Sequence, residues 1–290
     1  MSTFLSAIKK YLSLVKFSHT VFAMPFALIG FTLAVTRGDE DFSLRLLLLI
    51  ILCMVFARNA AMGFNRIADL RYDALNPRTK NREIPSGKIT SRSASLFVLF
   101  NSILFIITTG FINRLTLILS PLALLIILGY SLTKRYTTLC HFILGLGLSL
   151  APIGAYIAVT GHFAFLPVIY SLIVLTWVSG FDIIYALMDD SFDRDQKLYS
   201  IPAAVGVRKA IIISGIIHII TFLLVVFAGI YGKGGLLYWT GATVFISLLM
   251  YQHLIVRHDD LSRVNLAFGT TNGIASILFA VFIICDLIFF

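Results

Sequence analysis

Two short segments of the sequence, NRIADLRYD at 65–73 and YALMDDSFD at 185–193, each contain aspartates four residues apart. Residues at i and i+4 share one face of a helix, so each segment would point two carboxylates in the same direction. Like charges on one face repel one another unless a cation lies between them. Carboxylate and amide oxygens suit Mg²⁺, which retains several waters and shares its coordination with substrate phosphates. The pattern therefore predicts a magnesium site that uses Asn65, Asp69, Asp73, Asp189 and Asp193.

Arginines and lysines crowd around the first segment and also follow the second, so the same site could neutralise a diphosphate. The alternative interpretation is that these charges form solvated helix ends with surface ion pairs. That interpretation would account for one such segment. Two related copies, both beside cations and both at the ends of apolar runs, favour a functional site.

The composition restricts the class of protein that can carry these segments. The chain has 290 residues, of which 59% are hydrophobic and 13% are charged, and a soluble domain usually has about 25% charged residues. We therefore expect a polytopic membrane protein. The net charge of +9 does not indicate a nucleic-acid partner, because the cations lie between apolar runs, where membrane topology explains them. The three cysteines are widely spaced in apolar segments, which argues against a disulfide framework or a zinc site.

The apolar runs predict nine membrane-spanning helices, since each span needs about 20 mostly apolar residues. The predicted spans are 17–36, 43–64, 92–112, 115–132, 140–160, 164–187, 208–231, 235–256 and 265–288. Residues 2–13 are predicted to form an amphipathic helix along the membrane interface. The whole chain, 1–290, is then a single all-α domain whose active-site loops are 65–91 and 188–207.

The distribution of cations predicts the orientation of this bundle. With nine spans, 19 of the 23 lysines and arginines fall on the side that holds the N-terminus and both acidic segments. Cytoplasmic loops carry the excess of such residues, so the N-terminus and the two segments are predicted to face the cytoplasm.

The two segments also indicate an internal repeat. Asp69 and Asp189 are 120 residues apart, which corresponds to about four helices. Both segments lie on the same predicted side of the membrane. We therefore expect a parallel repeat of two four-helix units, with the ninth helix left over.

The motifs resemble those of the UbiA superfamily of intramembrane prenyltransferases. The resemblance covers nearly the whole chain and is carried by N-x-x-x-D-x-x-x-D at 65–73, NPRTKNREIPSG after it, YSLTKR at 130–135, YALMDDSFD and Ser200. It is greatest for the 4-hydroxybenzoate polyprenyltransferase-like branch of quinone biosynthesis. It implies nine helices around a central cavity, two Mg²⁺ ions and a polyprenyl diphosphate donor whose tail stays in membrane lipid. The expected location is the bacterial inner membrane, with the active site facing the cytoplasm.

The resemblance also implies roles for individual residues. Asn65, Asp69 and Asp73 would hold one Mg²⁺, and Asp189 and Asp193 would hold the other. The residues expected around the diphosphate are Lys16, Arg78, Arg82, Tyr130, Lys134, Arg135 and Ser200. The chain departs from the family pattern at Arg66, where an acidic residue is frequent, and at Tyr199, where ubiquinone-type enzymes tend to have lysine.

The implied reaction is an electrophilic aromatic substitution, in which the prenyl carbon that loses diphosphate is attacked by an electron-rich ring. The expected acceptor is of the 4-hydroxybenzoate or hydroxynaphthoate type, for ubiquinone or menaquinone synthesis. Asp182 is the candidate for orienting or deprotonating this acceptor. Arg58 is a candidate for binding the carboxylate of the acceptor or for balancing the charge of Asp182. Tyr185 is either part of the acceptor site or an ordinary interfacial tyrosine.

Two alternatives remain open at this point. One is a UbiA-like prenyltransferase with a non-aromatic acceptor. The other is a transporter, since repeats and intramembrane charges are common in that class. A transporter is the less favoured, because the acidic residues cluster at one membrane face and a facilitator has no need of two carboxylate pairs.

Overall fold

The computed structural model describes residues 11, 13–15, 22–38 and 40–290. Within these residues the chain is helical and forms no β-strand beyond one isolated bridge between Arg257 and Asp260. The long helices are α1 (Met24–Arg37), α2 (Leu44–Ala68), α3 (Ser91–Gly110), α4 (Arg114–Thr133), α5 (Cys140–Thr160), α6 (Phe165–Ala186), α7 (Val207–Tyr231), α8 (Leu236–Ile255) and α9 (Asn272–Phe289). The short helices are Leu70–Leu75, Leu187–Asp189, Asp190–Asp195, Ile201–Val205 and the π-helix Leu266–Thr271.

A helix lies in each of the nine segments that the sequence predicts to span the membrane. Among the described residues, seven helices are long and apolar enough to cross a membrane. The two others are α1, which has 14 residues, and α8, which has 20. Nine crossings, the cytoplasmic N-terminus and the four-helix repeat therefore stay predictions. The predicted interfacial helix at 2–13 and the start of the first predicted span lie largely outside the described residues.

Polar side chains define several helix ends. The Ser43 hydroxyl accepts a hydrogen bond from the Leu46 backbone N–H at the start of α2, and Asn113 caps α4 in the same way through Thr116. Such caps satisfy backbone donors that have no partner within the helix. The Asn113 amide also donates to the carbonyl oxygen of Ile157 at 2.8 Å. Asn113 therefore attaches the start of α4 to the end of α5.

The tightest packing surrounds α6. Trp177 in the middle of this helix is fully buried and contacts the rings of Phe26, Phe181 and Phe245. Its indole N–H donates to the side-chain oxygen of Asn272 at 2.9 Å, so the buried polar atom is satisfied. α2, α3 and α4 pack against one another beside this core. The space between the two groups of helices holds the cavity described below.

Gly30 should be essential for the contact between α1 and α5. A Cβ atom at this position would overlap the backbone carbonyl oxygen of Pro152, which cannot rotate away as a side chain could. We expect Gly30→Ala to destabilise the protein by about 1–3 kcal/mol, the usual cost of overpacking. The measurement is thermal unfolding of the detergent-solubilised protein. Gly215→Ala on α7 is the matched control, because a Cβ there meets nothing within 4 Å. Equal stability of the two variants would contradict the prediction.

Candidate active site

A single cavity of about 670 Å³ connects the two acidic segments with the apolar interior. Its charged end is lined by Asn65, Asp69, Asp73, Arg78, Arg82, Lys134, Asp182, Tyr185, Asp189 and Asp193. The remainder is mostly apolar and is lined by residues that include Ile50, Met54, Phe105, Ile112, Leu119, Ile157 and Phe163. The cavity can therefore hold a molecule with a highly charged head and a long apolar tail.

The first acidic segment is not one continuous helix. α2 ends at Ala68, and Asp69 joins it to the short helix Leu70–Leu75 with φ −88° and ψ 4°. The backbone N–H of Asp73 still donates to the Asp69 carbonyl oxygen at 2.7 Å, so a helical turn is kept across the junction. The Asn65 amide donates to the Asp69 carboxylate at 2.9 Å. Two of the residues that the sequence predicts to share one Mg²⁺ are thus in direct contact.

The second segment is interrupted at the corresponding residue. The 3₁₀-helix Leu187–Asp189 ends at Asp189, and the short helix Asp190–Asp195 begins directly after it. The expectation of a plain helical face in each segment was therefore too simple. In both, a local change in the helix occurs at the first aspartate, and both aspartates of each segment line the cavity.

Three of the four motif aspartates are paired with cations. Arg82 binds Asp73 at 2.7 and 2.9 Å, and Lys134 binds Asp193 at 2.8 Å. Arg78 donates through Nε to Asp189 Oδ1 at 3.0 Å, and its Nη2 atom pairs with Asp189 Oδ2. Arg78 follows the first segment and Asp189 belongs to the second. This ion pair therefore joins the two segments into one site.

Asp69 is the exception, since it has no ion pair with any residue that the structure describes. Burial, together with the neighbouring charge of Asp73, raises the pKa of the Asp69 carboxyl to about 6, although Lys134, Arg135 and Arg82 act in the opposite direction. A cation bound between Asp69 and Asp73 would favour the ionised form of both carboxylates. Among the described residues, Asp69 is thus the motif aspartate without an ion-paired cation.

The donor set fits a magnesium ion that keeps much of its water. No group of three or more His, Cys, Asp or Glu side chains within the described ranges is placed to hold a metal by itself. The Asp69 carboxylate instead lies beside the Asn65 amide. The other three motif carboxylates are each paired with a cation. Mg²⁺ usually binds proteins through one or two carboxylates and completes its coordination with water and substrate phosphate. The residues present suit that mode of binding and would not suit a fully protein-bound metal.

Asp182 has a partner that the sequence interpretation did not identify. His141, near the start of α5, lies with Nδ1 at 2.7 Å from the Asp182 carboxylate. The backbone N–H of Ile201 donates to His141 Nε2 at 3.3 Å, so Nδ1 carries the proton that His141 donates to Asp182. Both side chains line the cavity. The only signal in the sequence was a histidine at the beginning of an apolar helix.

The two tyrosines and Arg58 all line the cavity, as expected for site residues. The Tyr185 hydroxyl accepts a hydrogen bond from Arg78 at 3.0 Å, and its ring stacks on Phe268 with 4.0 Å between centroids. Tyr130 lies near the end of α4. Arg58 is deeper on α2 and donates to the Val15 carbonyl oxygen at 3.5 Å.

Two of the described residues that are expected around the diphosphate, Arg135 and Ser200, do not line the cavity. Arg135 donates to the Ala68 carbonyl oxygen at the end of α2, and its guanidinium lies 5.6 Å from the centre of the Tyr72 ring. Ser200 is fully buried and donates to Asp193 at 2.9 Å. These two residues support the site without lining it. Lys16 lies outside the described residues.

The fold and the site together define a helical membrane protein with a cavity that is charged at one end and apolar along the rest. Comparison with known proteins identifies the chain more closely: it belongs to the UbiA prenyltransferase family, which it matches over residues 23–283. The protein is therefore an integral membrane enzyme of the transferase class. This confirms the family resemblance that the motifs carry.

Curated relatives and solved structures agree with this assignment. The chain is 31% identical to a 4-hydroxybenzoate octaprenyltransferase of Vibrio campbellii over 240 residues, which cover 81% of this chain and 83% of that protein. It is 32% identical to a UbiA homologue from Aeropyrum pernix solved in its apo form, with a TM-score of 0.84 and coverage of 92% of this chain and 98% of the other. A UbiA homologue from Archaeoglobus fulgidus bound to GPP and Mg²⁺ has a TM-score of 0.76 at 20% identity, over 96% of this chain and 99% of the other. That last likeness shows the fold alone.

Proposed function

We propose that the protein transfers a polyprenyl group from polyprenyl diphosphate to an aromatic acid, in a Mg²⁺-dependent step of ubiquinone or menaquinone synthesis. The observation that carries the proposal is the single cavity, in which two carboxylate segments and their cations lead into an apolar interior. The 4-hydroxybenzoate octaprenyltransferases among the relatives support an aromatic acceptor.

The charged end would bind the diphosphate. Asn65, Asp69 and Asp73 would hold one Mg²⁺, and Asp189 and Asp193 would hold a second. The bound metal would neutralise the diphosphate and stabilise the charge that develops on it during departure. Arg78, Arg82 and Lys134 already lie beside these carboxylates. Each can turn from its aspartate to a phosphate oxygen when the donor arrives, which adds fixed positive charge to the leaving group.

The chemical step exchanges one bond for another. The C–O bond between the prenyl group and the diphosphate breaks, and its electron pair leaves with the diphosphate. A ring carbon of the acceptor forms a C–C bond to the prenyl carbon and then loses its proton. Asp182 would orient the acceptor hydroxyl and take up the proton, and His141, which contacts its carboxylate at 2.7 Å, would hold that carboxylate in position. The apolar walls exclude water, which would otherwise compete for the cationic prenyl carbon.

Both active-site segments would face the cytoplasm of a bacterial cell. The charged end of the cavity is formed where α2, α4 and α6 end and α5 begins, and this is the side that holds most of the lysines and arginines. The positive-inside rule supports a cytoplasmic location for that side. The relatives from Vibrio and Nitrosomonas support the bacterial inner membrane.

The direct test supplies the purified protein, in lipid nanodiscs, with a polyprenyl diphosphate and a panel of acceptors. The panel contains 4-hydroxybenzoate, hydroxynaphthoates and a glycerol phosphate. We expect Mg²⁺-dependent release of diphosphate together with a prenylated aromatic acid, detected by mass spectrometry. Transfer only to the glycerol phosphate would show that the acceptor is not an aromatic acid. A protein that releases no diphosphate with any acceptor would contradict the proposal as a whole.

The apolar part of the cavity should limit the length of the prenyl chain. Gly154 on α5 lines this part, and a Cβ there would meet nothing within 4 Å, so a larger side chain would extend into the open space. We expect Gly154→Leu to lower the kcat/KM for octaprenyl diphosphate much more than that for geranyl diphosphate. The measurement is the ratio of the two values. Gly129→Leu is the matched control, since Gly129 is equally unobstructed but does not line the cavity. The same ratio in both variants would contradict this assignment.

A further inference from the structure

The π-helix that precedes α9 is stabilised by side chains that bond to its backbone. The Thr271 hydroxyl donates to the Leu266 carbonyl oxygen at 3.2 Å. The Asn272 amide donates to the carbonyl oxygens of Ala267 at 2.9 Å and Phe268 at 3.2 Å. Three consecutive carbonyl groups thus receive hydrogen bonds from side chains. Insertion of a side chain into the backbone ladder makes a helix irregular, and single π-turns are frequent at functional sites.

Asn272 also bonds to the two helices beside it. It is fully buried at the start of α9. Its side-chain oxygen accepts a hydrogen bond from the Trp177 indole N–H on α6 at 2.9 Å, and its amide donates to the Gln252 side-chain oxygen on α8 at 3.2 Å. Buried amides commonly join the helices of a membrane bundle in this way. Asn272 therefore fixes the backbone of the π-helix relative to α6 and α8.

Phe268, whose carbonyl oxygen Asn272 binds, contributes its ring to the cavity wall. The ring stacks on Tyr185 with 4.0 Å between centroids and contacts Phe22 at 5.6 Å and Phe181 at 5.5 Å. All four rings line the cavity, whereas Asn272 does not. The extra residue of a π-turn rotates the preceding residues by about 100° relative to a continuous α-helix. The π-turn therefore determines which residue of this segment faces the cavity.

The stacked pair of Phe268 and Tyr185 lies at the border between the charged end and the apolar part of the cavity. The Tyr185 hydroxyl bonds to Arg78, which pairs with Asp189, and Asp182 lies about one turn earlier on α6. In the proposed reaction, the prenyl carbon that loses diphosphate is at this border. An aromatic face attracts a cation, and most strongly where water is excluded.

We propose that Asn272 is a positioning residue for prenyl transfer. Through the π-helix it holds the Phe268 ring against Tyr185, where the ring stabilises the cationic prenyl carbon and keeps water away from it. The inference rests on the proposed function and adds to it a residue outside the cavity. If Phe268 is displaced, water can attack the prenyl carbon. The water oxygen then forms the new C–O bond and loses a proton, the electron pair of the old C–O bond leaves with diphosphate, and the product is a free prenol.

The test measures two products, the prenylated acid and the free prenol, in wild type, Asn272→Leu and Phe268→Leu. We expect each variant to lower the kcat for transfer by about 2- to 30-fold, the range for one cation–π interaction. The ratio of prenol to prenylated acid should rise by a similar factor. The KM for the donor should stay close to that of wild type, because the carboxylates and cations of the charged end are unchanged.

A double variant and a milder variant test whether Asn272 acts through Phe268. The effects of Asn272→Leu and Phe268→Leu on the product ratio should not add, since the two residues act through one contact. Asn272→Thr should raise the ratio less than Asn272→Leu does, because a threonine hydroxyl can still donate to the Phe268 carbonyl oxygen.

Asn101→Leu is the matched control for Asn272→Leu. Asn101 is buried on α3, donates to the Phe97 carbonyl oxygen of its own helix at 2.8 Å and accepts a hydrogen bond from Asn59 on α2 at 3.1 Å. It therefore resembles Asn272 in its bonding, but it does not line the cavity. Its replacement should lower the thermal stability of the protein without changing the product ratio.

The outcomes separate this inference from the proposed function. A wild-type product ratio in both Asn272 variants, with a raised ratio in Phe268→Leu, would limit Asn272 to packing and overturn the inference. A wild-type ratio in Phe268→Leu would overturn the role of the ring. The ratio reports only on molecules that react, so a low yield of folded variant does not alter it. Failure of wild type to prenylate any acid would refute the proposed function itself.

Discussion

Replacement of Asp189 by asparagine is expected to lower the kcat/KM for prenyl transfer by at least about 10²- to 10³-fold, the usual effect of removing one preorganised charge-stabilising group. Asparagine keeps the shape of the side chain but removes its negative charge. Asp189 is buried and accepts hydrogen bonds from Asn76 at 3.1 Å and from Arg78 Nε at 3.0 Å. The substitution would therefore weaken a proposed metal ligand and release the cation that joins the two segments. The measurement is the initial rate at saturating Mg²⁺.

Asp190 provides a control for this variant one residue away. Its carboxylate pairs with Arg194 on the same short helix at 3.0 Å and does not line the cavity. A helix-surface pair of this kind contributes well under 1 kcal/mol to stability, so Asp190→Asn should retain nearly normal activity. Similar rates for the two variants would show that the charge of Asp189 has no special role. The same comparison applied to Asp69→Asn tests the first segment.

The second large effect is expected at Asp182. Asp182→Asn should lower kcat by about 10²- to 10⁴-fold, the range for loss of a general base. The KM for the donor should stay close to that of wild type, because Asp182 is paired with His141 and has no contact with the cations of the diphosphate site among the described residues. Measurement of kcat and of the donor KM separately distinguishes this role from a role in metal binding.

A double-mutant cycle can measure the coupling between His141 and Asp182. His141→Asn should reduce kcat less than Asp182→Asn does, since the carboxylate remains but loses the N–H that positions it. The two losses should not add in the double variant, because both side chains act through one contact. Full additivity, or a donor KM that rises with either variant, would contradict the assignment of this pair to the acceptor.

The sequence predicts the helices well because an apolar segment in a membrane has few alternatives to a helix. It also predicts the two acidic segments, since their repeated spacing can be read directly. It does not reveal the change of helix geometry at Asp69 and Asp189, which depends on local hydrogen bonding. Nor does it reveal the contact between His141 and Asp182, which are 41 residues apart and meet only through the packing of α5 against α6.

The contacts of the lysine and arginine side chains are the least predictable from the sequence. Arg135 follows Lys134 directly, yet the two side chains diverge, one toward the Ala68 carbonyl and the other toward Asp193. Neighbouring residues on a helix end point in different directions, so a shared motif does not imply a shared role. Arg66 fits no family pattern in the sequence. Its burial becomes evident only in the folded chain.

The most direct test of the central claim, that both segments form one metal–diphosphate site, is binding of Mn²⁺ in place of Mg²⁺ with a non-reactive donor analogue. Electron paramagnetic resonance would measure the bound metal in wild type, Asp69→Asn and Asp189→Asn. We predict donor-dependent metal binding in wild type and a substantial loss in each variant, although the two residues are 120 positions apart. Undiminished binding of metal and donor analogue in either variant would contradict the claim.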